Sequence, residues 1–149
     1  MEELLLAFGD LPLHPLLVHF AVALFPVALI FLIMVTVSKR LRSDWIGRAV
    51  VILAATIPFV FLAQQSGEAL SEVMYEPEPH EEFGERMMPV ALGTLAVASL
   101  FWLAIRNGWN QVVSKALGFL VVTASIGAIA LTIVVGHSGA AATWTGVLP

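Results

Sequence analysis

The chain has 149 residues, of which 59% are hydrophobic and only 12% charged, against roughly 25% charged in an ordinary soluble domain. Four apolar segments and their connections use nearly all of that length, which leaves no room for a soluble catalytic domain. The absence of cysteine excludes disulfides, thiolate zinc centres, iron–sulfur clusters and covalently attached haem, and the net charge of −4 excludes a nucleic-acid footprint.

The stretch Met1 to Asp10 is acidic and lacks the basic start and small-residue cleavage site of a secretory leader, so the first apolar segment is expected to be retained. Leu13 to Val37 carries no charge apart from two titratable histidines. Ala49 to Gly67, Met87 to Ile105 and Ala116 to Val135 contain no Asp, Glu, Lys or Arg. Each is close to the roughly 20 residues that cross a bilayer core, whereas a membrane β-barrel would show alternating segments of about 10 residues. Helices are therefore predicted over residues 13–37, 47–70, 80–105 and 111–137. Between the second and third, Pro77 and Pro79 interrupt an acidic excursion, and Pro79 suits the first position of the new helix.

The charges orient these helices. Lys39, Arg40, Arg42 and Arg48 follow the first, opposed only by Asp44, and Arg106 and Lys115 flank the last short turn. The other side holds Glu2, Glu3, Asp10, Glu68, Glu72, Glu76, Glu78, Glu81, Glu82 and Glu85, with Arg86 its one base. Basic loops stay cytoplasmic, so both termini and the acidic connection are expected on the periplasmic or exterior face of a bacterial inner membrane. Trp45, Trp102 and Trp109 on the inner side and Trp144 on the outer side fall where interfacial aromatic anchors belong. Short connections make neighbours antiparallel. The fold class is thus an all-α, integral-membrane, up-down-up-down four-helix bundle, one transmembrane domain over 1–149. Both halves read as helix, basic turn, helix, but without a shared motif that would mark a repeat.

The four histidines, His14, His19, His80 and His137, all fall at outer helix ends. Chance would have put some at inner ends, so they are candidates for one shared site, the default for ionisable groups at membrane depth. Pro15 opens the first helix and leaves His14 at its cap. His19 lies about 6 Å deeper than Pro15 and roughly 140° around the helix from His14, so the two are not an i, i+4 metal pair. Gly136 and Gly139 flank His137, permit close approach of a flat ligand, and Gly139 could stop the helix. The blander counterparts are an interfacial cap for His14, a buried structural histidine for His19 and a plain glycine-capped helix end for His137. Glu68 and Glu72 lie one turn apart where carboxylates oppose the helix dipole, and Ser66-Gly67-Glu68 is nearest the membrane. Arg86 could receive a haem propionate or pair with Glu82.

Leu13-His14-Pro15-Leu16-Leu17-Val18-His19-Phe20 followed by Ala23-Leu24, together with Gly136-His137-Ser138-Gly139, resembles the paired signatures of a bacterial family of four-helix predicted membrane proteins of unknown function, DUF2231. The resemblance covers nearly the whole chain in helix count and histidine placement. Ala21 stands where the family usually has proline, and Ala140 where it has a second glycine. Members often occur beside redox modules, which implies haem more than a bare ion.

Two functional classes follow, with a structural subunit as a third. In the first, His19 and His137, at matched depth on neighbouring helices, ligate a b-type haem, with His14, His80 and Arg86 around it and a periplasmic redox protein or quinone as partner. In the second, His80, His137 and Glu68 hold zinc or copper. Neither tight HExxH spacing nor a Gly-x-Ser-x-Gly elbow is present, and the lipid bilayer and a second copy of the chain complete the expected partners.

Overall fold

The computed structural model describes residues 7–8, 11–71 and 78–144. Glu2, Glu3, Asp10, Glu72, Glu76 and Pro77 lie outside the described residues. A two-residue antiparallel ladder, β1 (Ala7–Phe8) with β2 (Leu11–Pro12), precedes the helices. The described residues after it form five helices: α1 (Leu13–Val37), α2 (Lys39–Ser71), α3 (Glu78–Glu85), α4 (Met87–Arg106) and α5 (Gln111–Trp144). Four stretches are long and apolar enough to span a membrane, Leu13–Val37, Lys39–Ser71, His80–Arg106 and Gln111–Ala141. The third joins α3 to α4 through Arg86, whose backbone stays helical (φ −75°, ψ −15°).

The four long helices form a ring in which α1 packs on α2, α2 on α4, α4 on α5 and α5 on α1. The core is built from Phe25, Leu29, Leu32 and Val35 of α1, set against Ala49 and Leu53 of α2, Ala91, Ala98 and Phe101 of α4, and Val121 and Ala128 of α5. Small residues on three helices let backbones approach, which is how membrane helices associate where lipid is as apolar as the core. Large apolar side chains point outward instead, with Phe119 at 68% and Val112 at 74% exposure. That surface suits hydrocarbon and not water.

Side-chain contacts define the ends of the bundle. His14 and His80, which open their helices, meet the closing turns of α2 and α5 at one end. At the other, Arg42 reaches Thr36 and lies over Phe101, while Gly47 abuts Trp102. Hence α1 and α4 run one way and α2 and α5 the other, the expected up-down-up-down order.

Three boundaries differ from the sequence expectation. The second helix starts at Lys39, not at 47, because Ser38 alone breaks the chain: its carbonyl accepts from Arg42 N (3.0 Å) and its hydroxyl from Leu41 N (3.4 Å), a serine N-cap. The basic residues expected in a loop therefore occupy the first turns of α2. The last helix continues through Gly139 to Trp144, since Gly139 keeps helical angles; among described residues only Gly108 has positive φ (63°). That glycine ends α4, with Trp109 N donating to the Ala104 carbonyl at 2.9 Å. The third helix starts at Glu78, two residues earlier than expected.

Candidate histidine cleft

A small open cleft of about 80 Å³ lies at the histidine end. Its depth is apolar, formed by Val18 and Ala21 of α1, Val60 and Ala63 of α2, Met87 of α4 and Val135 of α5. His14 and His80 line it, with Glu68, Glu81 and Glu85 among its carboxylates. The two imidazole rings lie close together, their centroids 6.3 Å apart and their planes at 74°.

Each ring is held the same way. His14 Nδ1 donates to the Ala63 carbonyl at 3.0 Å and lies 3.2 Å from Ser66 Oγ, a fully buried hydroxyl that also donates to the Ala63 carbonyl at 2.9 Å. His80 Nδ1 lies 3.0 Å from Ser138 Oγ, which donates to the Val135 carbonyl at 3.0 Å. The following glycine makes room for the ring. A Cβ at Gly67 would fall 3.0 Å from His14 Cε1, and one at Gly139 only 2.8 Å from His80 Cε1. The units are His14 with Ser66-Gly67 and His80 with Ser138-Gly139, each a histidine opening one helix of a pair and a Ser-Gly step closing the other. Their members are 52 and 58 residues apart. The halves thus share the motif that their sequence had not yielded, and the two Ser-Gly steps beside histidine-opened helices were its signal.

The other candidates are held differently. His19 and His137 are both exposed and do not line the cleft; His19 Nδ1 donates to the Pro15 carbonyl within its own helix. Arg86 is paired with Glu82 and lies over Phe83, its guanidinium carbon 5.8 Å from the ring centroid. Glu68 is gripped by two side-chain amides, Gln64 Nε2 at 2.9 Å and Gln65 Nε2 at 2.6 Å. Among the described residues no three of His, Asp and Glu form a group that could hold a metal ion. Two imidazoles thus meet in the cleft, without a third metal-ligating side chain grouped with them among the described residues.

The profile of the family described as Predicted membrane protein (DUF2231) matches residues 10–148. The chain belongs to the DUF2231 family. No curated protein and no solved structure matches it. It is a multi-pass membrane protein by this membership and by its four candidate spans.

Proposed function

We propose that this DUF2231 protein is a b-type cytochrome-like electron carrier whose haem iron is held by His14 and His80. The observation that carries the reading is the pair of imidazole rings with centroids 6.3 Å apart and planes at 74°. Two imidazoles on opposite faces of one metal, each nitrogen ~2 Å from it, put their ring centroids about 6 Å apart. The cleft is small but its depth is apolar, as the walls of a haem site are, so a macrocycle would enter by parting the helix ends, and the hydrogen bonds at Nδ1 are the support that ligating histidines receive. Bound there, haem supplies reversible one-electron transfer, with a quinol or a soluble redox protein as partner.

Haem ligation here moves from His19 and His137 to the pair that the cleft brings together. The zinc or copper reading draws on the carboxylates of the cleft but lacks a third converging donor among the described residues. The rule that basic loops stay cytoplasmic supports a histidine end on the periplasmic or exterior side of a bacterial inner membrane, since the arginines and tryptophans gather at the other end.

Protein purified from haem-supplemented cells should show a low-spin Soret band that His14→Ala and His80→Ala each abolish, while His19→Ala and His137→Ala leave it unchanged. A haem-free parent protein, or a band lost only in the His19 and His137 variants, overturns the assignment.

A further inference from the structure

We infer that the outer groove between α1 and α2, toward the basic end, is a binding site for an anionic phospholipid, with one acyl chain along the groove and the phosphate on Arg48. The groove holds about 330 Å³ and is lined by Val27, Ala28, Ile30, Phe31 and Met34 of α1 with Ile52 of α2. Every one of these side chains is apolar, so the part of the occupant that lies here is hydrocarbon. Val27 to Met34 covers two turns of α1, about 10 Å, and α1 ends one turn later at Val37. The groove thus belongs to the half of the span nearest the basic end. One leaflet supplies about 15 Å of hydrocarbon at that depth.

The polar end of the groove says what the chain is attached to. Phe31, in its wall, packs on Trp45 with ring centroids 6.1 Å apart and planes at 87°. Arg48 lies over the same indole, its guanidinium carbon 4.7 Å from the ring centroid. Arg48 also precedes the wall residue Ile52 by one helical turn, which puts both on one face of α2. The guanidinium is therefore carried to the point where apolar wall gives way to interfacial tryptophan. An indole under the guanidinium holds its plane and leaves the N–H edge for a phosphate, which arginine takes bidentately.

The charge of Arg48 is open to a ligand. Among the described residues it has no carboxylate partner: Asp44, one turn earlier, accepts from the Ser43 hydroxyl at 2.9 Å, and Glu82 pairs with Arg86 at the far end. Other arginines of this end are placed differently, with Arg42 on the Thr36 carbonyl and Arg106 over Trp102 of α4. Lys39, Arg40, Arg42, Arg48, Arg106 and Lys115 are opposed here by Asp44 alone. That balance favours a lipid of net negative charge over a zwitterionic one, whose choline or amine cation is repelled. The site lies at the opposite end of the bundle from the histidine cleft, and it stands whatever that cleft holds.

The test is native mass spectrometry of the full chain in detergent, stripped of co-purified lipid and titrated with phosphatidylglycerol or with phosphatidylcholine of the same acyl chains. The parent protein should bind phosphatidylglycerol more tightly. Arg48→Gln should weaken that binding about tenfold, the worth of one charge-assisted contact, whereas Arg106→Gln, the same loss of charge at the same end, should change it far less. Val27 is 65% exposed, so Val27→Trp fills the groove without disturbing the core and should weaken both lipids. Val112→Trp, on the lipid-facing side of α5 at 74% exposure, should weaken neither. Glycerol 3-phosphate, which has the phosphate without the chains, should not displace the lipid. The arginine and valine substitutions act on different parts of the lipid, so each tests the site without the other. Equal binding of the two lipids by the parent, equal losses in Arg48→Gln and Arg106→Gln, full binding by Val27→Trp, or displacement by glycerol 3-phosphate overturns the inference.

Discussion

Gly139 shows how far a single absent methyl group reaches. A Cβ there would lie 2.8 Å from His80 Cε1, closer than packed side chains approach, and the imidazole would have to leave the Ser138 hydroxyl. Gly139→Ala should therefore lower haem occupancy sharply, read as the Soret-to-protein absorbance ratio, and Gly67→Ala, with 3.0 Å to His14 Cε1, should do so less. Gly127→Ala is the control. No heavy atom lies within 4 Å of its Cβ, so it should keep full occupancy and gain about 0.5–1 kcal/mol from replacing a glycine inside a helix. At this scale the sequence was only half legible. The positions of all four histidines at helix ends were readable, because ionisable residues stand out in apolar runs. Which two face each other was not, since His14 was expected only at the cap of its helix and instead turns onto Ser66-Gly67. Gly139 was misread for a related reason: a glycine near a helix end reads as a stop, but here it is spent on ring space.

At the scale of elements, the turn between α1 and α2 is closed by Arg42, whose Nε and Nη2 donate to the Thr36 carbonyl at 3.0 and 2.6 Å. A cation at the last turn of α1 satisfies an orphan carbonyl and complements the helix dipole. Its guanidinium also lies 5.7 Å from the Phe101 ring centroid, tying the α1–α2 turn to α4. Arg42→Ala should lower unfolding stability by about 1.5 kcal/mol, the worth of a charge-assisted hydrogen bond, without changing the haem spectrum at the opposite end. Arg42→Lys should recover little of it, because an ammonium lacks the guanidinium fork. Gly47→Ala should act in the same region, since its Cβ would meet Trp102 Nε1 at 2.9 Å; a lower melting temperature with an unaltered spectrum is the expected pair of readings. The number and order of helices were legible from hydropathy alone. The start of α2 was not, because charge density marked a loop where Lys39, Arg40 and Arg42, all good helix formers, continue the helix after one capping serine.

For the whole molecule, the antiparallel ring puts the starts of α1 and α3 and the ends of α2 and α5 at one end, and the arginines and tryptophans of the α1–α2 and α4–α5 turns at the other. If basic residues are retained in the cytoplasm, a C-terminal fusion to a reporter active only in the cytoplasm should be silent, and the same reporter placed in the α4–α5 turn beside Gly108 should be active; the opposite pattern would invert the assigned topology. The histidine cleft would then open toward the outer compartment, where an electron could pass between the bilayer and a soluble acceptor. The central claim is that His14 and His80 bind one haem iron from opposite faces, and it is tested most directly by electron paramagnetic resonance of the oxidised, haem-loaded protein at low temperature. Imidazole planes 74° apart predict a strongly anisotropic low-spin ferric signal with one dominant low-field feature, lost in His14→Ala and in His80→Ala. A high-spin signal, a rhombic low-spin spectrum of parallel imidazoles, or a spectrum that survives both substitutions would contradict it.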